Sequence, residues 1–144
     1  MVNVSIFFKD IKPVDLLQKN ITKLSELIFN DFNYSRIELN IVLTTDKQLS
    51  GMKKEYFNLD QFTDVIAFTI NDQPPAIEGE LYVSIDRVRD NASTFNVPTD
   101  SELKRVISHG ILHLVGLDDS SDAKKKEMTR HEDRYIDSVG SIIG

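Results

Sequence analysis

No cysteine occurs among the 144 residues. That excludes disulfides, thiolate metal sites and cysteine nucleophiles together, and leaves any metal to His, Asp, Glu or water. It also fits a reducing compartment. No apolar run approaches the length of a membrane span. The opening residues, MVNVSIFFK, carry neither the basic region nor the long apolar run of a secretory signal. A cytoplasmic protein without a membrane partner is expected. Excess positive charge is missing too: 17 Lys and Arg face 23 Asp and Glu, for a net charge of −6. Affinity for nucleic acid comes largely from neutralised phosphates, so this balance disfavours nonspecific binding. A local basic groove, or delivery to RNA by a partner, stays open. Repeats, low-complexity segments and linkers are absent.

The residues that are present predict one α+β domain over 1–144: a mixed sheet of about four strands packed with about five helices, the metal-binding one central. Residues 2–8 alternate as a strand. Pro13 is expected to open a helix whose stripe is Val14, Leu17, Ile21, Leu24 and Ile28. Arg36 to Leu43 alternates as a second strand. Thr45-x-x-Gln48 reads as a capping box before a helix with Leu49, Met52 and Tyr56 inward. Lys53 and Lys54 lie beside that stripe, as a solvated face or as an RNA phosphate contact. A loop over 58–62 precedes a strand over 63–70. The turn is expected at Asn71–Pro75, and 79–85 is the returning strand of a hairpin. Asp86 is expected to cap a helix with Val88, Ala92 and Phe95 inward. Thr99-x-x-Glu102 predicts a second capping box. The helix it opens is apolar almost all round from Val106, which marks a central element. Ser120 or Ser121 caps a last helix running to about Val139.

Two of the three histidines sit on that central helix, His109 and His113, at a spacing of four. Side chains so spaced share one helix face. Each buried imidazole needs a polar partner, and one metal ion satisfies both. Gly116 then allows the helix to stop and the chain to turn back. A third ligand falls on Asp119, with His131 and then Asp118 as alternatives. Three protein ligands leave a fourth position for water, as in catalytic sites. Asp118 is also a candidate in proton transfer, and turn or capping chemistry is its other reading. A metalloprotease places Glu after the first histidine. Here that residue is Gly110, which cannot move a proton, and the deaminase signature needs cysteines. A metal-assisted phosphodiesterase or nuclease remains.

The stretch His109-Gly-Ile-Leu-His113-Leu-Val-Gly116-Leu-Asp118-Asp119 resembles the His-Gly-x-Leu-His-Leu-x-Gly-Tyr-Asp-His signature of the YbeY family. Tyr56 with Thr63-Asp64-Val65-Ile66-Ala67-Phe68, then Gly79-Glu80-Leu81-Tyr82-Val83-Ser84, and finally Met128 and Glu132 are similar to its further segments. The resemblance implies a zinc-type metalloprotein, with one ion per chain and other divalent ions as alternatives. It implies a single-strand-specific endoribonuclease that matures the 3′ end of small-subunit rRNA and serves ribosome quality control. Its implied partners are single-stranded rRNA, the small ribosomal subunit, and a ribosomal protein or assembly GTPase. Two departures stand out. Asp119 occupies the position of the family's third histidine, and Phe57 replaces an arginine that would polarise phosphate. A ribosome-assembly factor that keeps the metal fold with little nuclease activity is therefore the alternative.

Overall fold

The element order, in a computed structural model that describes residues 1–59 and 63–144, is set by four strands and five helices. They are β1 (Val2–Phe8), α1 (Gln18–Asp31), β2 (Arg36–Thr44), α2 (Asp46–Phe57), β3 (Val65–Gln73), β4 (Ala76–Ser84), α3 (Ile85–Phe95), α4 (Thr99–Leu114) and α5 (Asp122–Ile136). The sheet order is β1-β2-β4-β3. β1 and β4 both run parallel to β2, and β3 runs antiparallel to β4. The expected mixed four-stranded α+β domain is therefore present.

Alternation decides which face is buried. Ile37, Leu39, Ile41 and Leu43 of β2 and Ile77, Leu81 and Val83 of β4 point into one core. α4 lies in the middle of that core, with Leu103, Val106, Ile107, Ile111 and Leu112 at 1% exposure or less. Side chains of this size each contribute roughly 1.5–3 kcal/mol on burial. α4 approaches the sheet closely because Gly110 lacks a side chain. A Cβ there would stand 2.8 Å from Leu81 Cδ2 and 3.1 Å from Val65 Cγ2. The residue whose smallness argued against a protease base thus also sets the depth of the central helix.

Several boundaries differ from the sequence reading. Pro13 does not open α1, which begins at Gln18; Leu16 instead bridges to Ile143. Tertiary pairing with the C-terminal segment outweighs the proline signal. The hairpin is tighter than expected, because β3 continues through Asn71, Asp72 and Gln73 and leaves Pro74-Pro75 as the turn. Ser84, not Asp86, caps α3 by accepting from Arg87 N–H. Asp86 accepts from the Asp46 amide instead. Thr99 is already helical and forms no capping bond; Pro98 holds the cap position, and Glu102 turns to Arg105. The helical stripes predict Tyr56 and Phe95 inward, yet they are 61% and 60% exposed. The Thr45 and Ser121 caps form as expected. The last helix ends at Ile136 rather than near Val139. The 58–62 loop lies partly outside the described residues. No helix among the described residues is long and apolar enough to cross a membrane.

Candidate metal centre

The spacing of four on α4 brings the two imidazoles together as expected. His109 Nε2 and His113 Nε2 are 2.9 Å apart. Gly116 takes a positive φ of 103°, which turns the chain sharply after the helix. That turn returns Asp119 to the histidines: its Oδ2 lies 3.6 Å from His109 Nε2 and 4.0 Å from His113 Nε2. Three donor atoms so placed suit one cation. Tetrahedral bonds of about 2.0–2.1 Å imply ligand atoms roughly 3.3 Å apart, and 2.9, 3.6 and 4.0 Å bracket that value. Among the described residues, His109, His113 and Asp119 form the one group of His, Asp and Glu with this convergence.

Glu132 of α5 completes the arrangement. Its Oε2 is 2.6 Å from His109 Nδ1. A carboxylate only accepts, so the proton sits on Nδ1 and the Nε2 lone pair faces the cluster. Glu132 is buried, 3% exposed, and its other oxygen accepts from Arg105 Nη1 at 3.3 Å. Arg105 also donates to Glu102 at 2.8 Å and to Asp64 at 3.1 Å. Hydrogen bonding to Glu102 holds the guanidinium well above its ordinary pKa. Three carboxylates around one arginine leave this corner net negative, which favours a cation. Burial disfavours charge on His109, but the hydrogen bond and charge of Glu132, with Asp64 and Asp119, outweigh it and raise its pKa. Burial and the neighbouring His109 lower that of His113, whose ring also bonds to the Leu117 backbone.

The other sequence candidates fall elsewhere. His131 packs on Phe32, with ring centroids 5.8 Å apart, and neighbours Arg134 and Glu127. It is not the third member. Asp118 accepts from Ser120 N–H and Oγ–H and from Lys124, so it performs the turn chemistry. Those bonds hold its carboxyl down at about 2. Lys53 sets its ammonium 4.9 Å from the Phe57 ring centroid. Phe57 in turn stacks on Phe68 at 6.0 Å. Phe68 pairs with Glu80 on the sheet face opposite Leu81 and α4. Lys53, exposed Lys54 and Phe57 therefore belong to the far side of the sheet from the histidines.

The sequence assigns no role to Arg105, Lys125, Thr129 or Glu132 of the cleft. A cavity of about 200 Å³ at the histidines is lined by Arg105, His109, Asp119, Lys125, Thr129 and Glu132, among others. Arg105 stands one turn before His109 on the same helix face, a signal the apolar count hid. Glu132 and Lys125 come from α5, whose approach to α4 no local pattern reports.

Known proteins share this arrangement of segments. The family model described as Endoribonuclease YbeY matches residues 6–140. The Endoribonuclease YbeY of Flavobacterium psychrophilum is 42% identical over 115 residues, covering 78% of this chain and 79% of that one. Its counterpart from Cytophaga hutchinsonii is 36% identical over 131 residues, covering 90% and 92%. The solution structure of TM1509 from Thermotoga maritima superposes with a TM-score of 0.62 at 27% identity, over 93% of this chain and 87% of that chain. With the family model spanning nearly the whole domain and the histidine helix at its centre, the chain belongs to the YbeY endoribonuclease family.

Proposed function

We propose that the protein is a metal-dependent endoribonuclease that cuts single-stranded rRNA. Its place would be late maturation of the small-subunit rRNA 3′ end and ribosome quality control in the cytoplasm. The observation that carries this reading is the convergence of His109, His113 and Asp119, with Glu132 fixing the His109 tautomer. Imidazole and carboxylate donors without thiolate suit zinc, or another first-row divalent ion. A bound divalent cation supplies Lewis acidity at the scissile phosphodiester. Glu132 and Arg105 keep the histidine donors oriented. Lys125 lines the cleft, is exposed, and has no ion-pair partner among the described residues, so it is the side chain placed to hold a phosphate oxygen. The net charge of −6 makes docking on the small ribosomal subunit, through a ribosomal protein or an assembly GTPase, the source of affinity that the chain's own charge lacks.

One observation favours a second reading, an assembly factor of low nuclease activity. Phe57, which stands where the family has arginine, is packed on Phe68 across the sheet. A cleavage assay on a single-stranded RNA, with and without chelator, separates the two. Chelator-sensitive cutting that His113→Ala abolishes supports the nuclease. A metal-loaded wild type that leaves the RNA intact supports the assembly factor.

A further inference from the structure

A larger groove opens beside the histidine cleft. It encloses about 690 Å³, within the range of small-molecule sites. Its apolar lining is Phe95, Val97, Pro98 and Ile136. Phe95 ends α3 and Val97 follows, and they are 60% and 40% exposed. An aromatic ring and a valine left bare side by side are unusual where the same helix buries Val88 and Ala92. Asn91 of α3 and Asp133 of α5 add polar groups to the lining. Asp133 is exposed, and its carboxylate has no partner among the described residues. The groove is continuous with the histidine site, since Arg105, Thr129 and Glu132 line both cavities.

We propose that this groove is a nucleobase subsite, which takes the base next to the scissile phosphodiester by stacking it on Phe95. The proposal rests on the RNA-cleavage reading. Continuity fixes the direction: a chain whose phosphate is held at Lys125 runs past Thr129 into the groove. Charge fixes which part of the nucleotide enters. Among the described residues the only cation of the lining, Arg105, is held by Glu102, Glu132 and Asp64, so nothing there balances a phosphate. A neutral ring meets no such penalty, and every base offers a π face to an aromatic side chain. Asp133 accepts hydrogen bonds and cannot donate. It can accept from the exocyclic amino group of adenine, cytosine or guanine, or from the ring N3–H of uracil, so the subsite takes any of the four bases.

The test uses the full chain in two arms. A Phe95→Trp variant places a fluorophore in the groove and is titrated with adenosine and with uridine. Saturable quenching by both nucleosides is expected, stronger for the larger ring surface of adenosine, and weaker for both in Phe95→Trp/Asp133→Ala. In the second arm, Phe95→Ala raises KM for a single-stranded RNA by on the order of tenfold, the size of one lost base–aromatic stack, with kcat little changed. Circular dichroism confirms that all three variants fold, as the exposure of Phe95 and Asp133 predicts. Quenching by adenosine in a protein that cuts no RNA supports the subsite and defeats the nuclease reading alone. Normal RNA cleavage with unchanged KM in Phe95→Ala, and no response to nucleosides, overturns the subsite and leaves the nuclease reading standing. A Trp signal that answers a basic peptide but no nucleoside also overturns it, in favour of a protein-docking groove.

Discussion

Glu132 Oε2 lies 2.6 Å from His109 Nδ1, so a buried carboxylate on the last helix sets the tautomer of a histidine on the central one. Removing this brace leaves the ring free to turn and its proton free to move to Nε2. Glu132→Gln is expected to weaken metal binding about 10–100-fold, the usual effect of losing such an outer partner. Competition against a chromogenic chelator measures it.

Asp119 Oδ2 approaches both histidine Nε2 atoms, at 3.6 and 4.0 Å. Asp119→His exchanges an anionic donor for a neutral one, which leaves more positive charge on the ion. One ion per chain is expected to remain, with RNA cleavage several-fold faster. Asp119→Ala removes the donor and is expected to lose metal by at least tenfold in affinity. Metal analysis and initial rates on single-stranded RNA test the pair.

The histidine spacing, the Gly116 stop and the return of Asp119 were legible because each depends on residues close in sequence. The strand alternation and the α4 apolar face were legible for the same reason. The brace from Glu132, the Arg105 network and the exclusion of His131 depend on how α5 meets α4, which no periodicity reports. Pro13 and Thr99 show the reverse error. Each carries a valid local signal, but pairing with Ile143 in one case and the pull of Arg105 on Glu102 in the other decided the outcome.

Gly110 faces Leu81 and Val65 of the sheet with no room for a side chain. Gly110→Ala pushes a methyl group toward Leu81 and Val65. Helix propensity alone favours alanine by up to about 1 kcal/mol, but overpacking of this kind costs about 1–3 kcal/mol. A net loss of stability is expected, read as a lower urea midpoint at unchanged m value.

Asp100 ties the C-terminal segment to the start of α4. Its Oδ1 accepts from Ile142 and Ile143 N–H at 2.7 and 2.8 Å, and Lys104 lies 3.2 Å from Oδ2. Burial disfavours the charged form, but the two amides and Lys104 outweigh it and lower the pKa. A depressed folded pKa gives stabilisation that is complete above the unfolded value, about 3.9, and is lost as pH falls through the folded one. Asp100→Ala is expected to cost about 1–3 kcal/mol at neutral pH. The gap between variant and wild type narrows as pH drops below about 4. Urea unfolding at several pH values tests both.

The central claim is that His109, His113 and Asp119 hold one catalytic cation. Titrating metal-free protein with zinc while following single-stranded RNA cleavage tests it most directly. One ion per chain, with activity rising in step and both absent in His113→Ala, is the predicted result. Cleavage that survives intact in metal-free His113→Ala would contradict it.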